Sequence, residues 1–232
     1  IIYTSGTSGN PKGVVLSHGG ILSNCEGAIE LLKPLTKKKK PIFLTWLPLS
    51  HSYEHTVQFI QILVGAEVYY AESLEKLISN MGIIKPTIMT AVPRFYQNLF
   101  TKINANFEKQ KGIKKVIINI TLNLGKKMLK KEKMNFIERI INLICNLLVR
   151  KKIQNEFGGN LQAFISGGGA LDQNIGEFLN AVGLPTLQGY GLTEASPVVS
   201  CNLPHLVKVE TVGPAFRTNE VKIADDGEIL IK

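Results

Sequence analysis

The first thirteen residues, Ile1-Ile2-Tyr3-Thr4-Ser5-Gly6-Thr7-Ser8-Gly9-Asn10-Pro11-Lys12-Gly13, are rich in groups that handle anions. Gly6, Gly9 and Gly13 let backbone approach a ligand closely. Successive exposed N–H groups in such a turn form an anion-binding concavity. Thr4, Ser5, Thr7 and Ser8 add hydroxyls for phosphate oxygens or a metal, and Lys12 adds a mobile positive charge. The chemistry is that of a polyphosphate cradle. The order G-x-x-x-x-G-K-[ST] of the P-loop is not met, because glycine follows the lysine here. A flexible Ser/Gly linker is the plainer alternative. The apolar residues on both sides (Ile1, Ile2, Val14, Val15, Leu16) argue against it.

Three later stretches carry further chemistry. Pro48-Leu49-Ser50-His51 supplies an imidazole after an apolar run. Ser166-Gly167-Gly168-Gly169-Ala170-Leu171-Asp172 places three glycines at a strand's end, where open α/β sheets bind ligands. A tight turn reads equally well from that motif alone. Gln188-Gly189-Tyr190-Gly191-Leu192-Thr193-Glu194-Ala195-Ser196-Pro197 combines flexible backbone, an aromatic face, a hydroxyl and a carboxylate. Such a set can stack a purine, contact phosphate and hold Mg²⁺.

The elements that must position these residues alternate. Val14–Leu16 reads as a short strand, and Ser17 as the N-cap of a helix over 18–33 that Pro34 ends. Strands are expected at 42–47, 66–70 and 87–90, with an apolar helical stretch through Val64 and a short helix over 73–81. Pro93 opens another helix running toward Phe107. Strand 161–165, helix 173–182 and strand 185–187 follow, and 220–223 with 228–231 read as a β-hairpin around Asp225-Asp226-Gly227. The order predicts an α/β fold, a layered body with a mostly parallel sheet.

Composition bounds the rest. The chain has 232 residues, 44% of them hydrophobic, which is ample for a packed core. Cys25, Cys145 and Cys201 are far apart and lack metal-ligand spacing, which fits a reduced cytoplasmic setting. Net charge is +9, but residues 102–152 alone carry fourteen Lys/Arg against three Glu, or +11, leaving −2 elsewhere. The basic segment has few aromatics and no base-reading motif, so nucleic acid is not expected as a partner. Residues 108–157 read as a Lys-rich helical insertion punctuated by Gly112 and Gly125, with Ile137, Ile140, Ile141, Ile144 and Leu148 on one face. The plain expectation is packing on the α/β body. The sharper one is a peripheral contact with anionic lipid, with Lys126, Lys127, Lys130 and Lys131 spread over solvent or facing that partner.

The opening stretch closely resembles the phosphate-binding signature of the adenylate-forming (AMP-binding) superfamily, Y-[ST]-[ST]-G-[ST]-[ST]-G-x-P-K-G-V. Later blocks follow in that family's order: Leu47–His51, Val92-Pro93-Arg94-Phe95-Tyr96, Ser166–Ala170, Gln188–Glu194, Val212-Gly213-Pro214 and Gly227-Glu228-Ile229. The V-P-R element and the Lys-rich insertion resemble the long-chain fatty-acid–CoA ligase branch. The resemblance implies ATP-dependent formation of an acyl-AMP, then transfer to coenzyme A as co-substrate. It implies that Ser5, Gly6, Thr7, Ser8, Gly9 and Lys12 hold the β/γ-phosphates. Gly168, Gly169, Ala170, Gln188, Gly189, Tyr190 and Gly191 would hold adenine. Thr193 would reach the α-phosphate, Thr4 and Glu194 would hold Mg²⁺, and His51 would lie by the acyl carboxylate. A non-catalytic nucleotide-binding remnant, or an acyl-adenylating enzyme with another acceptor, are the alternatives.

Two departures stand out. Glu54 is followed by His55 where the branch usually has Glu-Arg, and the chain ends before the family's ribose-binding Asp and catalytic Lys. The expected organisation is 1–205 as the α/β part of the large domain, incomplete at its N-terminus, and 206–232 as the start of a β subdomain. The small C-terminal domain would be absent.

Overall fold

The computed structural model describes residues 1–4, 10–36 and 40–232. Two strands open it, β1 (Ile2–Thr4) and β2 (Lys12–Val14), paired antiparallel with Thr4 opposite Lys12. The strand expected at 14–16 therefore begins earlier. Pairing with β1 uses residues 12–14, while Val15 is exposed. Helix α1 (His18–Thr36) follows, with Ser17 Oγ accepting from the Gly20 N–H at 3.0 Å as expected of a cap. Pro34 lies inside this helix instead of ending it. In the last turn a proline forfeits one intrahelical bond, and Thr36 Oγ1 donates to the Leu32 carbonyl at 3.3 Å.

The body is a six-stranded sheet. Its strands are β3 (Ile42–Thr45), β4 (Glu67–Tyr70), β5 (Ile88–Ala91), β6 (Ala163–Ser166), β7 (Thr186–Gly191) and β8 (Val198–Cys201). The order is β4-β3-β5-β6-β7-β8. All neighbours are parallel except β7 and β8, which run antiparallel. The connecting helices are α2 (Ser52–Leu63), α3 (Leu77–Ile84), α4 (Pro93–Glu108), α5 (Gly112–Leu129), α6 (Phe136–Cys145), α7 (Lys151–Glu156) and α8 (Gln173–Ala181). This is the layered, mostly parallel α/β fold that the element order predicts. The short helix expected at 73–81 lies at 77–84, and β8 has no counterpart among the expected strands.

Side chains alternate across the sheet with the two-residue period of a strand. Phe43, Ile88, Ala163 and Leu187 point into one core with α1 and α2. Leu44, Met89 and Phe164 point into a second core with α3, α4, α5, α7 and α8. β9 (Val221–Ile223) and β10 (Ile229–Ile231) form the expected hairpin as a separate two-stranded sheet. Before it, Phe216 is buried against α1, where a methyl on Gly27 would meet its ring at 2.6 Å.

The basic insertion is helical, yet two of its expected features differ. Gly125 is no break: it lies within α5, where a Cβ would come within 2.5 Å of the Ala181 backbone. Its lack of a side chain lets α5 cross α8 closely. The apolar face of α6 does not pack on the body: Ile137, Ile140, Ile144 and Leu148 are exposed and Ile141 is half-buried. The inward face of α6 is occupied by polar contacts. Lys127 Nζ reaches Glu138 Oε1 at 2.6 Å, and Arg150 Nη1 donates to Asn142 Oδ1 at 2.8 Å. A π-helical turn over Asn146–Arg150 joins α6 to α7. It carries Arg150 into the interior, where Nε donates to the Ala181 carbonyl at 2.8 Å and Nη2 to the Thr121 carbonyl at 3.1 Å. Of the four clustered lysines, Lys126 reaches Glu177 at 3.2 Å and Lys127 reaches Glu138, while Lys130 and Lys131 are exposed. Among the described residues no helix is long and apolar enough to cross a membrane.

Candidate functional site

The cavity at the C-terminal end of the sheet is built by three segments far apart in sequence. β5 and β6 end side by side, and the chain leaves β6 through the glycine wall at 167–169. Gly167 sits against the Tyr53 ring, where a Cβ would come within 2.9 Å, and Gly168 has φ of +76°. A side chain at either position would fill the wall or strain its backbone. Tyr53 is held from behind, its hydroxyl donating to the Ile165 carbonyl at 3.1 Å. The Gln188–Gly191 motif is the second half of β7 itself, not a loop beyond it.

The cavity has a volume of about 530 Å³. Its polar side is formed by His51, Ser52, Thr90, Ser166–Ala170 and Gln188–Thr193. Its apolar side is formed by Ala28, Leu31 and Leu32 of α1, Val57 and Ile60 of α2, and Phe216. Small-molecule sites share this make-up, an apolar chamber with a few convergent polar groups. His51, Gly168–Ala170, Gln188–Gly191 and Thr193 therefore meet in one place. Thr4, Lys12 and Glu194 are outside the lining, and Ser5, Gly6, Thr7, Ser8 and Gly9 lie outside the described residues.

The segment leading from the cradle nevertheless reaches this cavity. Gly20, in the first turn of α1, abuts Ser196, where a Cβ would meet the Oγ at 2.7 Å. One turn later Asn24 clamps β8: its Nδ2 donates to the Val198 carbonyl at 2.6 Å, and its Oδ1 accepts from the Val198 N–H at 3.3 Å. The loop carrying Thr193 and Glu194 thus lies against the start of the helix that follows Lys12.

Individual side chains divide into committed and uncommitted groups. His51 caps α2, its Nδ1 accepting from the Tyr53 N–H at 3.2 Å, which leaves Nε2 as the protonated nitrogen of the neutral ring. Ser52 and Thr193 share a hydrogen bond of 2.9 Å between their hydroxyls, joining the His51 block to the Thr193 block. Gln188 spends its amide internally: Oε1 accepts from the Leu171 N–H at 2.6 Å, and Nε2 donates to the Thr211 carbonyl at 3.2 Å. It braces the glycine wall and offers that amide to no ligand. Ser166 is the opposite case. Its hydroxyl is fully buried on the Phe164 side of β6, with no hydrogen-bond partner among the described residues. Burial pushes the Cys201 thiol up to about 12, so the cavity sees a neutral sulfur, not a nucleophile.

Beneath the floor lies a buried carboxyl. Glu54 is fully buried; its Oε2 accepts from Thr90 Oγ1 at 2.9 Å and its Oε1 from Gln58 Nε2 at 3.2 Å. Burial pushes it up to about 7, against the opposing pull of hydrogen bonds from Thr90, Thr45 and Gln58. Sequence reasoning missed Ser52 and Asn24, since each works through a contact between distant segments. The burial of Glu54 is likewise set by a distant contact, with Thr90 of β5.

A metal finds sparse ligation here. Among the described residues no group of three or more His, Cys, Asp or Glu side chains could hold one. That arrangement fits magnesium brought with a polyphosphate, since Mg²⁺ is usually held by one or two carboxylates and substrate oxygens. For a nucleotide, the bare glycine wall is the feature that fits.

Comparison with known proteins bears on the same region. Long chain acyl-CoA synthetase 3 of Arabidopsis thaliana is 30% identical over 228 residues, 96% of this chain and 34% of that protein. The long-chain-fatty-acid–CoA ligase FadD15 of Mycobacterium bovis is 29% identical over 233 residues, 100% of this chain and 39% of that protein. The chain thus spans between a third and two-fifths of the length of these relatives. Among solved structures, o-succinylbenzoate CoA synthetase (MenE) from Bacillus subtilis in complex with ATP and magnesium ion superposes with a TM-score of 0.64. It is 19% identical, over 99% of this chain and 38% of that one. The N-terminal domain of FACL13 from Mycobacterium tuberculosis gives 0.62 at 21% identity, covering 99% and 46%. The AMP-binding enzyme family model matches residues 1–231, and with the shared fold and the ordered motifs this chain belongs to that family, within its N-terminal domain.

Proposed function

We propose that the protein carrying this chain activates a long-chain fatty acid with ATP and transfers the acyl group to coenzyme A. The observation that carries the reading is the cavity at which the His51, Ser166–Ala170 and Gln188–Thr193 segments meet, largely apolar with a few polar groups. An AMP-binding protein that joins a polar head to an apolar acid needs that pairing. The named relatives support the long-chain choice.

In the first half-reaction a carboxylate oxygen bonds to the α-phosphorus of ATP and pyrophosphate leaves. In the second, the coenzyme A thiolate bonds to the acyl carbon and AMP leaves. Positioning and charge neutralisation are the main demands. Gly168, Gly169, Ala170, Gly189 and Tyr190 would form the adenine wall, with Gln188 bracing it and Gly191 giving close backbone approach. Thr193 would present its hydroxyl to the α-phosphate, with Ser52 fixing its rotamer. His51 would donate from Nε2 to the acyl carboxylate. Thr4 and Glu194 would hold magnesium, which neutralises phosphate charge when bound. Ser5–Gly9 and Lys12 would take the β/γ-phosphates. The apolar chamber would exclude water from the reacting acid. Residues 1–205 would form the α/β part of the large domain, and 206–232 would open a β subdomain.

ATP–pyrophosphate exchange by the full protein tests this. Exchange should require a fatty acid and Mg²⁺, and Glu194→Gln should cut it by about 10² or more, since a metal ligand is lost where charge develops. Undiminished exchange in that variant would remove Glu194 from the metal role. Nucleotide binding without exchange would leave a non-catalytic binder.

A further inference from the structure

On the side of the sheet away from α1 and α2, α5 packs on α8 and α6 packs on α5, so α6 is the outermost layer. Phe136, Ile140, Leu143 and Ile144 lie along its outer face, and Leu147 extends the row onto the π-helical turn, all between 45% and 77% exposed. The row spans a little over three turns, roughly 18 Å at the rise of a helix. A surface helix normally turns such a face inward. This one is held the other way round. Asn135 and Glu138 close a capping box at its start, Glu138 ties it to Lys127, and Asn142 ties it to the buried Arg150. The polar side is fastened to the body and the apolar side is presented outward. Contiguous exposed apolar surface of this kind marks an interaction site.

The surrounding charge says what covers it. Lys130, Lys131 and Lys133 precede the helix, Arg139 lies on it, and Lys151 and Lys152 follow, all exposed and none in an ion pair among the described residues. Glu132 is the one exposed carboxylate among them, and Glu138 is spent on Lys127. A second copy docked on this face would set two such basic margins against each other. An anionic lipid surface matches both parts, apolar side chains entering the acyl boundary and cations reaching headgroup phosphates.

We propose that α6 is an interfacial helix that docks the protein on anionic membranes, with the substrate cavity left open on the far layer. The inference rests on the helix face and its charges, independently of the proposed reaction.

Sedimentation of the full protein with vesicles is the test, using phosphatidylcholine alone and with 30% phosphatidylglycerol. Binding should be about tenfold or more tighter to the anionic vesicles at low ionic strength and fall sharply by about 0.5 M salt, because screening shortens the reach of each charge. The triple variant Ile140→Asp, Leu143→Asp, Leu147→Asp alters exposed positions only and should abolish binding at every salt concentration. Lys133→Gln with Arg139→Gln, Lys151→Gln and Lys152→Gln should abolish the preference for anionic vesicles. An environment-sensitive fluorophore on Leu143→Cys should brighten on vesicle addition. Absence of binding, equal binding to both vesicle types, or undiminished binding by the aspartate variant would each overturn the proposal. So would concentration-dependent dimerisation that the aspartate variant abolishes, which would assign the face to a second copy.

Discussion

The two faces of the sheet each bury one charge-bearing group, and treat it differently. On the α5–α8 side, Arg150 is buried with its Nε, Nη1 and Nη2 all engaged by Ala181, Asn142 and Thr121. On the α1–α2 side, Glu54 is buried against Thr90 of the cavity lining, with a carboxyl that burial disfavours ionising. Buried hydroxyls without a partner occur on both faces, Thr56 on one and Tyr96 on the other, so the difference lies in the buried charge-bearing groups. The first face is finished around a paired cation, whereas the second borders the cavity.

The largest expected effect falls on the finished face. Arg150→Met leaves the Ala181 and Thr121 carbonyls and Asn142 without their donor, and should cost about 4 kcal/mol in denaturant unfolding. Nucleotide affinity per folded molecule should be unchanged; a parallel loss of affinity would break the division between the faces.

Next comes Glu54. Its carboxyl is raised to about 7 from an ordinary 4.5, so the native state holds a proton that the unfolded state has lost between those two values. Stability is therefore greatest below about 4.5 and declines as pH rises toward 7, by an amount on the order of 3 kcal/mol for a shift of that size. Glu54→Gln should remove this decline, unfolding at higher denaturant than wild type at pH 8 and with little difference at pH 4.5. A variant less stable than wild type at pH 8 would show that the carboxylate is needed ionised.

Asn24→Ala removes both bonds between α1 and Val198 and should cost about 2 kcal/mol, with weaker nucleotide binding because the Thr193 loop loses its backing. Smallest in stability is Ser166→Ala. It breaks no hydrogen bond and its side chain faces away from the cavity, so unfolding should shift by less than about 0.5 kcal/mol with nucleotide affinity unchanged. A large stability loss there would mean that the hydroxyl is structural after all.

Much of this architecture is legible in the chain. Apolar runs mark β3, β5 and β6 as buried strands, Ser17 and Pro93 mark helix starts, and Asp225-Asp226-Gly227 marks the hairpin. What resists reading is set by contacts between distant segments. Gly125 looks like a helix break because sequence does not show Ala181 crossing it. β8 is missed because its pairing with β7 depends on the return through Pro197. Apolar spacing over 137–148 identifies a helix face, but not that Glu138 and Asn142 would turn it outward. Of the site, the glycine wall and the Gln188–Thr193 block are legible as motifs. The commitment of Gln188's amide is visible only with its neighbours in place.

The Asn24–Val198 clamp also has a consequence for synthesis. Its partners are 174 residues apart, so α1 leaves the ribosome long before β8 exists. At about 5–20 residues per second, roughly 10–35 s pass before Val198 is made. During that interval Ala28, Leu31 and Leu32 have neither Phe216 nor the β8 edge to meet, and the nascent chain shows an apolar helix to its surroundings. Chaperone occupancy on stalled chains should therefore be high until residues near 216 emerge and drop once they do.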